Sequence, residues 1–244
     1  MNSNRSIQVL NISLVLALMI VGNLQAQDPQ QSFQTWSSFN FVKNLPFNAT
    51  LTVNPEVNRL VSGGSPWHAY SIDNTLEYYP NNSWDVFASL MLSYTKQDEG
   101  TNSLEIRPYI GVRWNILKPE KRVFLYLQGK YDFRFFHYYS DEPNSYSGRF
   151  RIKPEVRVSL NKKSNLADKN LMLRLNGEYF IQVDEEINER YLSKRQTSIG
   201  LLYRHTHAWR YEFRYLIYKN KNTLEATAPT SIDHVAYFIV SWFL

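Results

Sequence analysis

Two histidine–serine pairs, His137 with Ser140 and His68 with Ser71, come closest in this chain to nucleophilic chemistry. A serine attacks only when a histidine takes its proton, an acid orients that histidine, and donors face the developing oxyanion. Neither pair has an evident acid or oxyanion donor in the sequence around it. Lipid hydrolysis at a membrane rim is therefore one reading, and a rim histidine serving as an interfacial polar group is the plainer one. His205 and His207 stand two apart in a short turn, but two imidazoles without a carboxylate make a weak metal site, so no metal is expected. The sequence has no phosphate-binding glycine loop, nucleophile elbow or calcium loop, and no cofactor is expected. It has no cysteine, which excludes disulfides, thiolate metal sites, a cysteine nucleophile and a lipidated-cysteine anchor.

A stronger chemical pattern is a set of basic residues on alternate positions: Arg107, Arg113, Lys130, Arg134, Arg149, Arg151, Arg157, Arg174, Arg204, Arg210 and Arg214. Acids on the same parity, Glu77, Asp85, Glu105, Asp132, Glu155, Glu178 and Glu212, partly offset them. If this parity points into a barrel, the charges require either a water-filled lumen or an ion-pair network that plugs it. An open lumen with excess arginine would favour anions, because fixed positive charge raises their local concentration. A filled lumen, with the pairs bracing the strands, is the competing expectation, since ten to twelve strands make a barrel narrower than a porin.

The elements that must position these residues are strands. From 103 to 117 one parity reads Leu104, Ile106, Pro108, Ile110, Val112, Trp114, Ile116, and the other Glu105, Arg107, Tyr109, Gly111, Arg113, Asn115. Segments around 84–94, 146–160 and 209–217 repeat this period of two, which excludes helices. The alternation predicts strands at 32–43, 47–59, 67–79, 84–97, 103–117, 122–138, 147–160, 170–184, 195–206, 209–219 and 233–244. Their length exceeds that of ordinary globular strands and matches a tilted membrane-spanning strand of about nine to eleven residues or more. Eleven segments conflict with the even count of bacterial barrels, so ten or twelve strands are expected, twelve being preferred, with the segment around Trp36 the doubtful one.

Whole-chain properties agree with an all-β, antiparallel transmembrane barrel. Aromatics make up 15% of the 244 residues, while mean hydropathy is only −0.42, as expected when lipid-facing and lumen-facing residues cancel. Residues 1–26 read as a secretory signal peptide, with Arg5, an apolar run from Ile12 to Val21 and a small-residue cleavage site at Ala26. Residues 27–244 would form the barrel in the outer membrane of a Gram-negative cell. Export makes nucleic acid an unexpected partner despite the net charge of +5. Tight periplasmic turns are expected at 43–46, 80–83, 118–121 and 205–208, with 161–169 somewhat longer. Longer outer loops are expected at 96–102, 140–145, 184–194 and 219–232. This assignment puts Trp84, Trp114, Trp209 and Trp242 in one belt, and Tyr94, Tyr131, Phe133, Phe135, Tyr179 and Tyr215 in another. The last strand, with Ala236, Phe238, Val240, Trp242 and Leu244 on one face, suits recognition by the outer-membrane insertion machinery. A secreted lipocalin-like barrel or β-sandwich is the soluble alternative, because alternation alone does not say which face is inside.

The leader, the Gln34-x-Trp36 opening, the successive hairpins with basic or asparagine turns, and the closing Tyr237-Phe-Ile-Val-Ser-Trp-Phe-Leu244 resemble the outer-membrane barrels of domain-of-unknown-function family 2490. The resemblance implies a fold and a location and brings no activity or site residues. Three functions remain open: a narrow anion-preferring pore or solute-binding barrel, a plugged barrel that works through its loops, and a lipid-modifying enzyme at the rim.

Overall fold

The computed structural model describes residues 31–98, 100–140, 143–183, 192–221 and 230–244. The expected leader, 1–26, lies outside the described residues, as do 184–191 and 222–229 of the outer loops expected at 184–194 and 219–232. Eleven strands follow one another: β1 (Gln31–Leu45), β2 (Ala49–Ser62), β3 (Trp67–Asn81), β4 (Trp84–Gln97), β5 (Ser103–Leu117), β6 (Val123–Tyr138), β7 (Ser145–Ser159), β8 (Asn170–Gln182), β9 (Leu192–Arg204), β10 (Trp209–Lys221) and β11 (Thr230–Phe243). They form one closed barrel in which each strand pairs antiparallel with its sequence neighbours. Period-two patterning persists because each strand must present a different chemistry to each side.

Closure departs from the expected even count. Eleven strands in up-and-down order leave the first and last pointing the same way, so β1 and β11 pair in parallel, from Gln31 opposite Ile232 to Val42 opposite Phe243. The segment around Trp36 is a full strand of 15 residues, not an incomplete one. The barrel is thus mixed, with one parallel seam. β1 starts at the end where β4 connects to β5 and β6 to β7, and β11 finishes at the end closed by 46–48, 82–83 and 205–208. These are called the loop end and the turn end below. The division is not strict: 63–66 is short although it lies at the loop end, while 160–169 is the longer turn-end connection, as expected for 161–169. That long connection is held down by its own polar groups. The Asn165 amide donates to the carbonyls of Lys121 and Arg122, and Ser159 Oγ donates to Asn170 Oδ1 at 2.7 Å.

Apolar residues face outward. On β4, Trp84, Val86, Leu90 and Leu92 are exposed while Asp85, Phe87, Ser89 and Ser93 are buried. On β5, Ile106, Ile110, Val112 and Trp114 are exposed while Glu105 and Tyr109 are buried. Trp84 stacks on Trp114, and Trp209 on Trp242, at the turn end. His68–Tyr70, Tyr94–Tyr139, Phe135–Tyr146 and Tyr215–His234 make ring contacts toward the loop end. Following cross-strand partners once around the barrel accumulates a stagger of about 14 residues. With strands about 4.8 Å apart, that stagger tilts them by roughly 40° and puts the wall about 11 Å from the axis. An extended arginine covers more than half of that distance, so long side chains from facing walls meet.

Candidate functional site

The interior is where charge converges. Every carboxylate on the described strands, Glu56, Asp73, Glu77, Asp85, Glu105, Asp132, Glu155, Glu178, Glu212 and Asp233, belongs to the inward parity. So do Arg107, Arg113, Lys130, Arg134, Arg149, Arg151, Lys153, Arg157, Arg174, Arg204, Arg210 and Arg214. Acids and bases are close to balance inside, because Glu56, Asp73 and Asp233 join the acids recognised from sequence. The basic excess expected of an anion-selective lumen is correspondingly small.

The charges form connected clusters. Toward the loop end, Glu105 accepts from Arg107 at 2.7 Å and from Arg134 at 2.6 Å. Asp132 accepts from Arg149 at 2.8 Å and Arg151 at 3.2 Å, and Lys130 stands 3.6 Å away. Arg151 reaches on to Glu178 at 2.8 Å, tying β6, β7 and β8 together. Toward the turn end, Glu155 accepts from Arg157 at 2.7 Å and Arg174 at 2.5 Å, with Lys153 at 3.6 Å. Arg174 also donates to Glu212 at 2.8 and 3.0 Å, and Glu212 holds Arg214. A third cluster joins Arg113 to Glu77 at 2.5 Å and Asp85 at 3.1 Å. Arg210 lies over the Phe243 ring at 3.9 Å and has no carboxylate within bridging distance among the described residues. Arg204 pairs with Asp168 of the turn at 3.4 Å.

Two inward glycines make room for these reaches. Gly200 on β9 lies between Arg174 of β8 and Arg214 of β10, so nothing blocks Arg174 on its way to Glu212. A Cβ there would stand 2.7 Å from the Phe213 carbonyl oxygen and 2.9 Å from Arg214 Cγ. Gly111 on β5 plays the same part between Phe87 and Lys130, and its Cβ would fall 2.3 Å from the Phe87 ring.

Aromatic rings fill the space beside the charges. Phe180 lies under both Arg149 and Arg151, with guanidinium carbons 4.9 and 4.7 Å from its centre. Tyr109 lies under Lys130 at 4.0 Å, and Phe136 under Arg134 at 4.7 Å. Across the parallel seam the lumen is apolar: Leu216, Val235, Tyr237 and Ile239 form a buried cluster with Trp36 and Tyr218 packed on it. The Gln34-x-Trp36 opening has its explanation here, since residues two apart share a face and the indole N–H donates to Gln34 Oε1 at 3.0 Å. Tyr237 donates to Glu56 and Ser38, joining this apolar side to β2.

The central charges of these clusters are buried. Asp132 is 0% exposed, Glu155 1% and Arg174 5%, so these charged groups are packed against their partners and have little or no contact with solvent. Unpaired charges in such surroundings would cost several kcal/mol each, and Glu105, Asp132, Glu155 and Glu212 each carry two or three cations.

The histidine–serine pairs do not assemble. His68 and Ser71, three apart on β3, fall on opposite faces of the wall: His68 points outward beside Tyr70, and Ser71 is on the lumen side. His137 points outward at the rim, and its Nδ1 lies 2.8 Å from Asn144 Oδ1. It lines a shallow cleft of ≈ 310 Å³ with Leu104, Phe135, Asn144, Ser145 and Tyr146, to which Ser140 does not contribute. His205 and His207 stay in the turn, and no group of three or more metal-binding side chains occurs among the described residues.

Fold and interior together define a closed, mixed β-barrel with an ion-paired, ring-filled lumen and an apolar outer face. Residues 33–226 match the family described as Protein of unknown function (DUF2490), and the chain belongs to that family. No curated protein matches it.

Proposed function

We propose that this chain is an exported outer-membrane β-barrel, closed to solutes by its own interior, which acts through its outer face and loops and not as a standing anion pore. The observation that carries the closed reading is the burial of Asp132 and Glu155 among arginines contributed by β7 and β8. A channel would need those pairs to part, and each separation leaves a buried charge without its partner. Membrane residence is supported by the exposed apolar band, by tryptophan pairs at one rim and tyrosines at the other, and by the outward Phe238, Val240 and Trp242 of the last strand, suited to the insertion machinery. The loop end would face outside, as in other barrels with tight periplasmic turns.

Cell fractionation with heat-modifiable gel migration tests the location, and swelling of liposomes in small anionic, cationic and neutral solutes tests the closure. The expected result is a folded protein in the outer-membrane fraction that lets none of these solutes through. Recovery from the soluble periplasmic fraction, or uptake of anions ahead of cations, would overturn the corresponding half of the proposal.

A further inference from the structure

The sorting of charge between the two faces carries a binding site of its own. No outward position on the described strands holds a carboxylate, whereas Arg59, Lys96, Arg195 and Lys219 are all outward and all at the loop end. Three of the outward basic groups form a row: Arg59 on β2 is opposite His68 on β3, which is opposite Lys96 on β4. Three adjacent strands put the ends of this row about 10 Å apart, close enough for both long side chains to grasp one anion. None of the three makes an ion pair among the described residues, although the lumen is crowded with them.

The rows beneath give the site its depth. One step toward the barrel middle come Val57, Tyr70 and Tyr94, and the next step is Pro55, Ile72 and Leu92. Cations above tyrosines above aliphatics is the order in which a leaflet presents phosphate, interface and acyl chain. Across the barrel, Arg195 faces Lys219 on one side and Tyr179 on the other, which repeats the combination.

We propose that the Arg59–His68–Lys96 row binds the phosphate groups of a phosphorylated glycolipid of the outer leaflet, with its acyl chains lying against Ile72 and Leu92; this rests on the membrane reading above. Charge complementarity selects an anionic headgroup, and the loop-end position selects the outer leaflet. The row is a lipid anchor and has no catalytic part.

The test uses the full protein in nanodiscs, with bound lipid read by native mass spectrometry. Three probes are titrated: a bisphosphorylated glycolipid, the same lipid stripped of phosphate, and phosphatidylglycerol. Each basic side chain at an anionic surface contributes a factor of about five, so Arg59→Gln with Lys96→Gln weakens glycolipid binding about 30-fold. Lys43→Gln, an outward cation at the turn end, leaves it unchanged. Wild-type binding also weakens as salt rises. Equal affinity for the phosphate-free lipid, for phosphatidylglycerol or for inorganic phosphate as competitor overturns the assignment, as does a double variant that binds like wild type. A folded protein that enters the nanodisc yet fails these tests refutes this inference alone. One that never enters a bilayer refutes the membrane reading with it.

Discussion

Arg174 gives the sharpest test of a closed interior, because it is shared between Glu155 and Glu212 across an intervening strand. In Arg174→Met, Glu155 keeps Arg157 at 2.7 Å and Glu212 keeps Arg214, but both acids, themselves buried, lose their shared cation. In Glu155→Gln, Arg157 is left between the Phe124 and Tyr126 rings, 5.6 and 5.8 Å away, without its carboxylate. Breaking a buried, hydrogen-bonded pair from one side costs about 3–5 kcal/mol. The same change in a water-filled lumen would cost about 0–1 kcal/mol, because the orphaned charge is hydrated and screened. Removing both partners together avoids one of the two orphans, so the double variant falls about 2–3 kcal/mol short of the summed single losses. Urea unfolding in vesicles, followed by tryptophan fluorescence and heat-modifiable migration, measures all four corners of the cycle. Additivity within about 0.5 kcal/mol, with small single effects, would refute the occluded, low-dielectric interior.

Three further outcomes follow from named contacts. Leu90→Arg, in the middle of β4 on the exposed apolar face, lowers stability in vesicles by about 2–4 kcal/mol if that face meets lipid; an unchanged unfolding midpoint would argue for a face in water. Gly200→Ala destabilises by roughly 1–3 kcal/mol, because the Phe213 carbonyl is backbone and does not step aside for the new Cβ; wild-type stability would mean that β9 and β10 are not packed this way. Trp36→Ala costs about 3 kcal/mol by emptying the cluster along the parallel seam, and a neutral effect in the same unfolding assay would place β1 outside the barrel.

Strand existence and extent were legible because alternation is a local property. The expected 84–97 and 103–117 coincide with β4 and β5, and the other strands differ by a few residues at their ends. Closure was not legible, since the β1–β11 pairing joins residues some two hundred positions apart, and the even count is a habit of a class of barrels, not a physical necessity. The period of two names the residues that share a face but not how far each reaches across. Hence the inward set could be read from parity, whereas the bridge from Arg174 over Gly200 to Glu212 could not. Glu56 and Asp73 escaped notice because their strands mix asparagine, threonine and proline with the aliphatics and show weak contrast between faces. The same parity, applied to β3, would have separated His68 from Ser71.

Single-channel recording of the folded chain in a planar bilayer shows whether ion pairs and rings shut the lumen. Insertion without conductance steps is expected of the wild type, and steps are expected when Glu155→Gln and Glu212→Gln together loosen the network around Arg174. Steady, anion-preferring steps from the wild type would contradict that closure.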